Sequence, residues 1–164
     1  MANLYTVDVT TAVPTLVGSL TGLPDTDQMT GLAFDPNDGT LYGSAGSGAD
    51  RIYTIDKTTG AVTLIGTTGL GGSTPDLFFD GTGSLFGSKG GGGSPNTLIS
   101  IDKATAAGTA IGPIGFVAVS GLDCFLPSPP VVPALGETGV AVLVGLLVAS
   151  GLLSSHRWSE VRPG

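Results

Sequence analysis

Residues 52–66 read IYTIDKTTGAVTLIG, and this stretch is the middle copy of a pattern that occurs three times in the chain. The other two copies begin at Leu4 and Leu98, at spacings of 48 and 46 residues. In each copy, apolar and polar residues alternate on either side of a turn that begins with Asp. Such alternation around a turn is typical of two short antiparallel strands. A fixed period of this length indicates a repeat architecture.

A second pattern lies between these copies. Residues 31–44 and 76–88 each begin with a short run that ends in Phe-Asp and continue, after a turn, to a run that ends in Gly-Ser. Residues 121–125 begin a third copy. The two patterns alternate, so the repeating unit contains both and reads as four short strands. Two units are complete, at roughly 32–67 and 77–112, and partial units precede and follow them.

Four short antiparallel strands in about 40 to 50 residues is the spacing of a β-propeller blade. We therefore predict an all-β fold for residues 1–126, made of β-propeller blades of four antiparallel strands, two of them complete and two partial. The repeats resemble the blades of a bacterial secreted propeller group that is loosely related to WD-repeat and NHL-like propellers. This resemblance implies an architecture and no particular reaction.

An Asp recurs at one position of the first pattern, as Asp8, Asp56 and Asp102. An Asp carboxylate at the start of a turn accepts hydrogen bonds from the amides two and three residues later, and Gly60 supplies the positive φ that closes such a turn. Ala12 and Ala106 replace that Gly, so we expect their turns to be looser or of another type. An alternative role for the three carboxylates is a ring on one face of a propeller.

The second pattern has its own turn carboxylates, Asp35 and Asp80. The stretch from Asp35 to Gly39 has oxygen side chains at alternate positions, as a calcium loop does, but Gly46 stands where an EF-hand needs a bidentate acid. We therefore interpret it as a hairpin turn and predict no metal or other cofactor. Cys124 is interpreted as a small apolar residue buried on a strand.

Composition excludes several functions. The chain has 13 acidic and 6 basic side chains, one Cys and one His, and all of its net charge of −7 lies in residues 1–126. An acidic surface repels phosphate backbones, so we expect no nucleic-acid partner. A zinc cluster or a Cys-His nucleophile pair needs more Cys or His than the chain has. The single His156 would have to reach back from the tail to serve a Ser-His-Asp triad.

The composition changes after Phe125. Residues 127–137 are a Pro-rich linker, which cannot continue a sheet. Residues 138–156 are uncharged and dense in Val, Leu, Ala and Gly, and they predict one transmembrane helix. Arg157 begins the tail, 157–164, and acts as the membrane stop, so the positive-inside rule places this tail in the cytoplasm and the repeats outside.

The residues that join the linker to the apolar run resemble the I-P-T-L-S-E-W-G signature of IPTL-CTERM sorting domains, which are relatives of the PEP-CTERM signals. The motif residues are Val132, Pro133, Ala134, Leu135, Glu137 and Gly139. The resemblance implies export, transient anchoring in the inner membrane of a Gram-negative bacterium and recognition by an exosortase-like processing enzyme. It also implies release or sorting to the outer surface.

Met1-Ala2-Asn3 has neither the charge nor the apolar run of a signal peptide, so we expect a gene fragment or a misplaced start codon. Exposed flanks of incomplete propellers favour self-association. The sequence thus predicts an exported, membrane-anchored or surface-sorted repeat protein of the bacterial cell envelope, which acts in binding or as a matrix component and is not an enzyme. The alternative is a fragment of a propeller hydrolase of the lactonase type.

Overall fold

The computed structural model describes residues 2–46, 48–90 and 93–124, all of which belong to one compact unit, Met1–Leu126. These residues form ten β-strands and no helix. The strands are β1 (Asn3–Val7), β2 (Pro14–Ser19), β3 (Met29–Phe34), β4 (Leu41–Ala45), β5 (Arg51–Ile55), β6 (Val62–Thr67), β7 (Asp76–Phe79), β8 (Leu85–Lys89), β9 (Thr97–Ile101) and β10 (Gly108–Pro113). The predicted linker at 127–137, helix at 138–156 and tail at 157–164 lie outside the described residues.

The strands form three antiparallel sheets, each made from strands consecutive in the chain. The first sheet is the β1-β2 hairpin, the middle sheet has the order β3-β4-β5-β6, and the third sheet comprises β7 to β10 in chain order. The predicted all-β class is confirmed for this part of the chain, and each complete repeat unit corresponds to one four-stranded sheet. Within the described residues the three sheets do not close into a barrel or a propeller ring.

One predicted strand is absent. Residues 121–124, expected to start a further unit, form no ladder with another strand. The segment is held instead by a bond from the Leu122 amide to a carboxylate oxygen of Asp76, at 2.5 Å. Cys124 is accordingly half-buried on a loop, and the interpretation as a buried strand residue is wrong. A strand needs a neighbour to pair with its backbone, and the described residues provide none here.

The repeat is preserved down to an irregularity of the ladder. In the first sheet, Leu4 pairs with Gly18 and Tyr5 with Leu16, so one residue of β2 bulges out. The register shifts at the corresponding place between β5 and β6, and again between β9 and β10. In all three hairpins the residue skipped is the one before the repeated Gly: Val17, Ile65 and Ile111. Since bulges bend and twist a strand locally, the three hairpins share one shape.

The sheets stack face to face, and the two central strands of the middle sheet, β4 and β5, are largely buried. On one side, Tyr53 and Ile55 of β5 pack in a cluster that includes Leu20 and Leu4 of the first hairpin region. On the other side, Ile52 of β5 packs in a cluster with third-sheet residues, which are Leu77, Leu85, Ile99, Ile101 and Ala106. Neighbouring residues of a strand point to opposite faces, so β5 contributes to both clusters.

The close approach of the sheets depends on the repeated Gly of the outer strand. A Cβ on Gly66 would lie 2.5 Å from the carbonyl oxygen of Thr105, in the turn of the third sheet. A Cβ on Gly18 would overlap the carbonyl of Thr59, the same turn position in the middle sheet. A Cβ on Gly112 has no described atom within 4 Å. Two of the three glycines are therefore contact points between sheets.

The substitution Gly66→Ala should destabilise the protein by about 1–3 kcal/mol, because the new methyl group overlaps a backbone oxygen that has no rotamer to escape into. The matched substitution Gly112→Ala, at the same repeat position, should change the free energy of unfolding much less. Urea unfolding of the full chain, at protein concentrations low enough for it to be monomeric, measures both. Equal losses for the two variants would mean that the stacking distance is not set at Gly66.

Candidate functional site

The three repeated turn carboxylates accept hydrogen bonds from their own turns. The Asp56 carboxylate accepts from the amides of Thr58, at 2.7 Å, and Thr59, at 3.2 Å. Asp8 and Asp102 accept from the amides two and three residues later in the same way. These bonds stabilise the charged form, so the pKa of each carboxyl lies below its ordinary value, with the Thr58 hydroxyl the largest cause for Asp56.

The three turns have the same backbone conformation. The residue four places after the Asp has a positive φ in each: 58° at Ala12, 79° at Gly60 and 65° at Ala106. In each turn the amide of this residue donates to the carbonyl oxygen of the Asp, at 2.7 to 2.8 Å. The expectation of a looser or different turn at Ala12 and Ala106 is therefore wrong. The turn type is imposed by the paired strands and the Asp, and Ala accepts the strain.

Replacing Ala12 by Gly should stabilise the protein by about 0.5–1 kcal/mol, because Gly adopts the positive φ without the strain that a Cβ causes. Ala12 is exposed, so the substitution removes no buried contact. The control is Ala104→Gly in the Asp102 turn, where φ is not positive and no strain is relieved. That variant should be neutral or destabilised. Thermal unfolding monitored by circular dichroism distinguishes the two, and a stability loss for Ala12→Gly would contradict the strain argument.

The carboxylates of the second pattern differ in their surroundings. Asp35 is buried and accepts from the amide of Asn37, at 2.9 Å, and from Lys103 of the third sheet, at 2.6 Å. Asp80 is bonded within its own turn, to the amides of Thr82 and Ser84, both at 2.9 Å. Asp35 thus links two sheets, whereas Asp80 stabilises one hairpin. The Asp35–Gly39 stretch is a turn in which Gly39 donates to the Asp35 carbonyl oxygen and has a φ of 71°.

Two further ion pairs lie between segments that are distant in the chain, and sequence reasoning missed both. The buried Asp27 carboxylate accepts from Arg51, at 2.6 Å, and from the Tyr53 hydroxyl, at 2.5 Å. Asp50 pairs with Lys89 of the third sheet, and also accepts from the Thr68 hydroxyl and the Gly71 amide. No repeat position or motif singles out these residues, because each pair forms only when the strands that carry it are folded together.

Burial alone would raise the pKa of Asp27 and of Asp50, but in each case the hydrogen bonds and the nearby cation outweigh it. The pKa of both carboxyls is therefore below the ordinary value. Burial and the neighbouring Asp27 raise the pKa of Tyr53 to about 12. These shifts fix how stability depends on pH.

Carboxyls whose pKa is lowered by folding stabilise the protein above their unfolded pKa of about 3.9 and lose this effect as the pH falls through the folded pKa. We therefore expect stability to fall steeply below about pH 4. It should fall again above about pH 10, where unfolded tyrosine ionises and buried Tyr53 does not. Urea midpoints measured from pH 2.5 to 11 test this. Asp27→Asn should flatten the acid limb, whereas Asp25→Asn, at an exposed neighbour, should not; identical acid limbs for the two variants would refute the role of Asp27.

One concavity, here called the inner groove, is a hollow of about 370 Å³. Three equivalent repeat segments contribute to it: Leu32–Phe34 of β3, Leu77–Phe79 of β7, and Leu122–Cys124. The third segment lies beside β7, because the Leu122 amide donates to the Asp76 carboxylate. β7 lies beside β3 in the equivalent way, since a Cβ on Gly31, at the repeat position of Asp76, would lie 2.9 Å from the Leu77 amide nitrogen. Apolar and aromatic residues of β3 and β7 line the groove together with the acidic residues Asp80 and Asp123.

Lysines of the repeated turns flank the aromatic residues of this groove. Lys57 lies 5.7 Å from the ring centre of Phe34, and Lys103 lies at the same distance from Phe79. Phe34 is exposed and Phe79 is partly buried against the cluster that contains Tyr42. A cation over a ring is a favourable contact that also holds the ring in place. The Phe34 and Phe79 rings are therefore held in position by lysines at equivalent repeat positions.

The described residues contain no group of three or more His, Cys, Asp or Glu that could hold a metal ion. In the same residues no helix is long and apolar enough to cross a membrane. The sorting motif, Val132 to Gly139, and the membrane stop Arg157 lie outside the described part of the chain. The proposed ring of carboxylates at Asp8, Asp56 and Asp102 stays a prediction.

Comparison with known proteins finds no family model, no curated protein and no solved structure that matches this chain. The resemblances to propeller repeats and to IPTL-CTERM sorting domains therefore stay predictions made from the sequence.

Proposed function

We propose that this chain is an exported repeat protein of the bacterial cell envelope, whose stacked sheets are blades of the β-propeller type and act in binding or as a matrix component. In this proposal the sheets carry no catalysis of their own. The C-terminal segment, with its IPTL-CTERM-like motif, transmembrane helix and Arg157, tethers the repeats to the inner membrane facing outward, from where an exosortase-like enzyme releases or sorts them.

The observation that carries the binding role is the inner groove. Its walls are the same three positions of successive repeats, so an extended apolar or aromatic ligand would meet an equivalent surface from each repeat. Such a groove, lined by apolar and aromatic residues with two Asp residues among them, suits binding by contact area together with a few polar contacts. The turn and ion-pair carboxylates, which a metal-dependent hydrolase would need as ligands, accept hydrogen bonds from the protein itself.

The blade assignment is supported by how the sheets stack. The outer-strand Gly meets the turn of the next sheet twice, between the first and middle sheets and between the middle and third sheets. The first strands of the two four-stranded sheets, β3 and β7, are also adjacent. In a propeller, neighbouring blades repeat one packing arrangement around a common axis. The same contact made twice in succession is the local arrangement that a propeller requires.

The sorting role can be tested at the C-terminus. The double variant Pro133→Ala, Glu137→Ala should still insert into the membrane but should keep its apolar segment, because the processing enzyme no longer reads the motif. The unaltered chain should lose residues after the motif in a host that has the enzyme. Mass spectrometry of the mature C-terminus distinguishes the two outcomes. An intact Gly164 in both forms in the native host would refute the sorting role and would mean that the segment is an unprocessed membrane anchor.

The hydrolase alternative has a separate test, because it predicts turnover of a substrate. The purified full chain should not hydrolyse lactone or ester substrates, with or without added calcium. Metal-dependent turnover that is lost on removal of the metal would favour the hydrolase fragment instead.

A further inference from the structure

Two sheet-to-sheet interfaces occur inside the molecule, between the first and middle sheets and between the middle and third sheets. The outer side of the first sheet and the outer side of the third sheet each carry one of the two surfaces that such an interface needs. On the outer side of the first sheet, the head face consists of Tyr5, Val7 and Ala12. Tyr5 is 49% exposed, whereas its counterparts Tyr53 and Ile99 are at most 1% exposed. Val7 is 58% exposed, although the Ile residues at its position in the other repeats are buried. The head face is therefore an apolar surface of the kind that is covered in both later repeats.

The opposite end, the tail face, lies on the outer side of the third sheet. It consists of Leu98, Ile111 and Gly112, around a hollow of about 400 Å³ that Phe78, Ile114 and Leu122 also line. Ile111 is 55% exposed, whereas its counterpart Ile65 packs against the core cluster between the middle and third sheets. Gly112 has no described atom within 4 Å of where a Cβ would be, although Gly18 and Gly66 each meet a turn carbonyl.

We propose that the head face of a second copy of this chain docks on the tail face, so that the turn of Thr11 and Ala12 in one copy covers Gly112 of the other. The internal interfaces provide the template. Ala106 occupies the same turn position as Ala12 and has a similar positive φ, 65° against 58°. It is fully buried where its turn meets Gly66. Ala12 is exposed. Docking would bury the one Asp-turn of the three that is uncovered in the described residues.

One contact of the internal interfaces is missing from this docking. The amide of Val62 donates to the Thr21 carbonyl oxygen, at 2.8 Å, and the amide of Gly108 donates to the Thr68 carbonyl oxygen, at 2.9 Å. The residue at the same position of the first sheet is Pro14, which has no amide hydrogen. The contact between copies therefore has one backbone hydrogen bond fewer than either internal contact, and association is expected to be reversible and dependent on concentration.

The docking joins unlike surfaces, so each copy has one head face and one tail face to offer. Such heterologous contacts form rings when the rotation closes. The described residues of one copy form three sheets, and those of two copies form six, which lies within the range of about four to eight blades in closed propellers. We therefore expect a dimer in which both head-to-tail contacts are made. This inference rests on the stacking of the sheets and is independent of what the inner groove binds.

Sedimentation velocity of the full chain in a mild detergent should give the protein mass of two copies at high concentration and of one copy on dilution. Gly112→Leu on the tail face and Val7→Lys on the head face should each weaken association by about tenfold or more. The control Leu64→Gln removes an exposed apolar side chain from the middle sheet, outside both faces, and should associate normally. Circular dichroism melts of each variant at low concentration should match the unaltered monomer.

Mixing the two face variants distinguishes head-to-tail docking from other modes. A Val7→Lys copy has an intact tail face and a Gly112→Leu copy has an intact head face, so the mixture should form a dimer through one contact although neither variant does so alone. A failure of the mixture to associate would overturn the head-to-tail arrangement. A monomeric full chain whose melting temperature falls with Gly112→Leu would show that another segment of the same chain covers the tail face, and would also overturn the proposal.

Discussion

The structure depends on how closely one sheet can approach the hairpin turn of the next. At Gly18 and Gly66 the outer strand passes so near a turn carbonyl that no side chain fits between them. A bulge, which bends a strand locally, precedes each Gly, and Tyr53 and Ile99 of the stacked sheets lose nearly all of their exposure. Apolar burial between the faces provides most of the favourable energy, but the missing Cβ decides the spacing at which it is realised.

Polar contacts around this apolar stack make the arrangement specific. Lys103 of the third sheet reaches Asp35 of the middle sheet, and Lys89 of the third sheet reaches Asp50 in the loop between β4 and β5. A buried carboxylate without a partner is costly, so a slipped or rotated stack would leave these charges unpaired. Asp35 and Asp50 in this way align sheets, and other acidic residues, such as Asp56, stabilise turns.

Much of the local structure could be predicted from the sequence. The alternation around Asp56 specifies two strands and a turn, because side-chain direction in a strand has a period of two and the Asp carboxylate lies within reach of its own turn amides. The inner groove could not be predicted as a site. Its third wall, Leu122–Cys124, resembles the start of a strand in the sequence, but it forms no ladder and is held by one bond to Asp76. The turns at Ala12 and Ala106 also differ from the expectation based on residue type, because propensity for a positive φ is weaker than the geometry imposed by two paired strands.

Local periodicity and composition specify the all-β class, the period of the repeat, the position of the turns and the acidic character of the surface. The exposure of Tyr5 against the burial of Tyr53, and the contact at Gly66 against the open surface at Gly112, arise only when the sheets stack. Equivalent residues of a repeat have the same local preferences and differ only in whether another sheet lies against them. That difference depends on long-range stacking, which cannot be deduced from the local preference of any single residue.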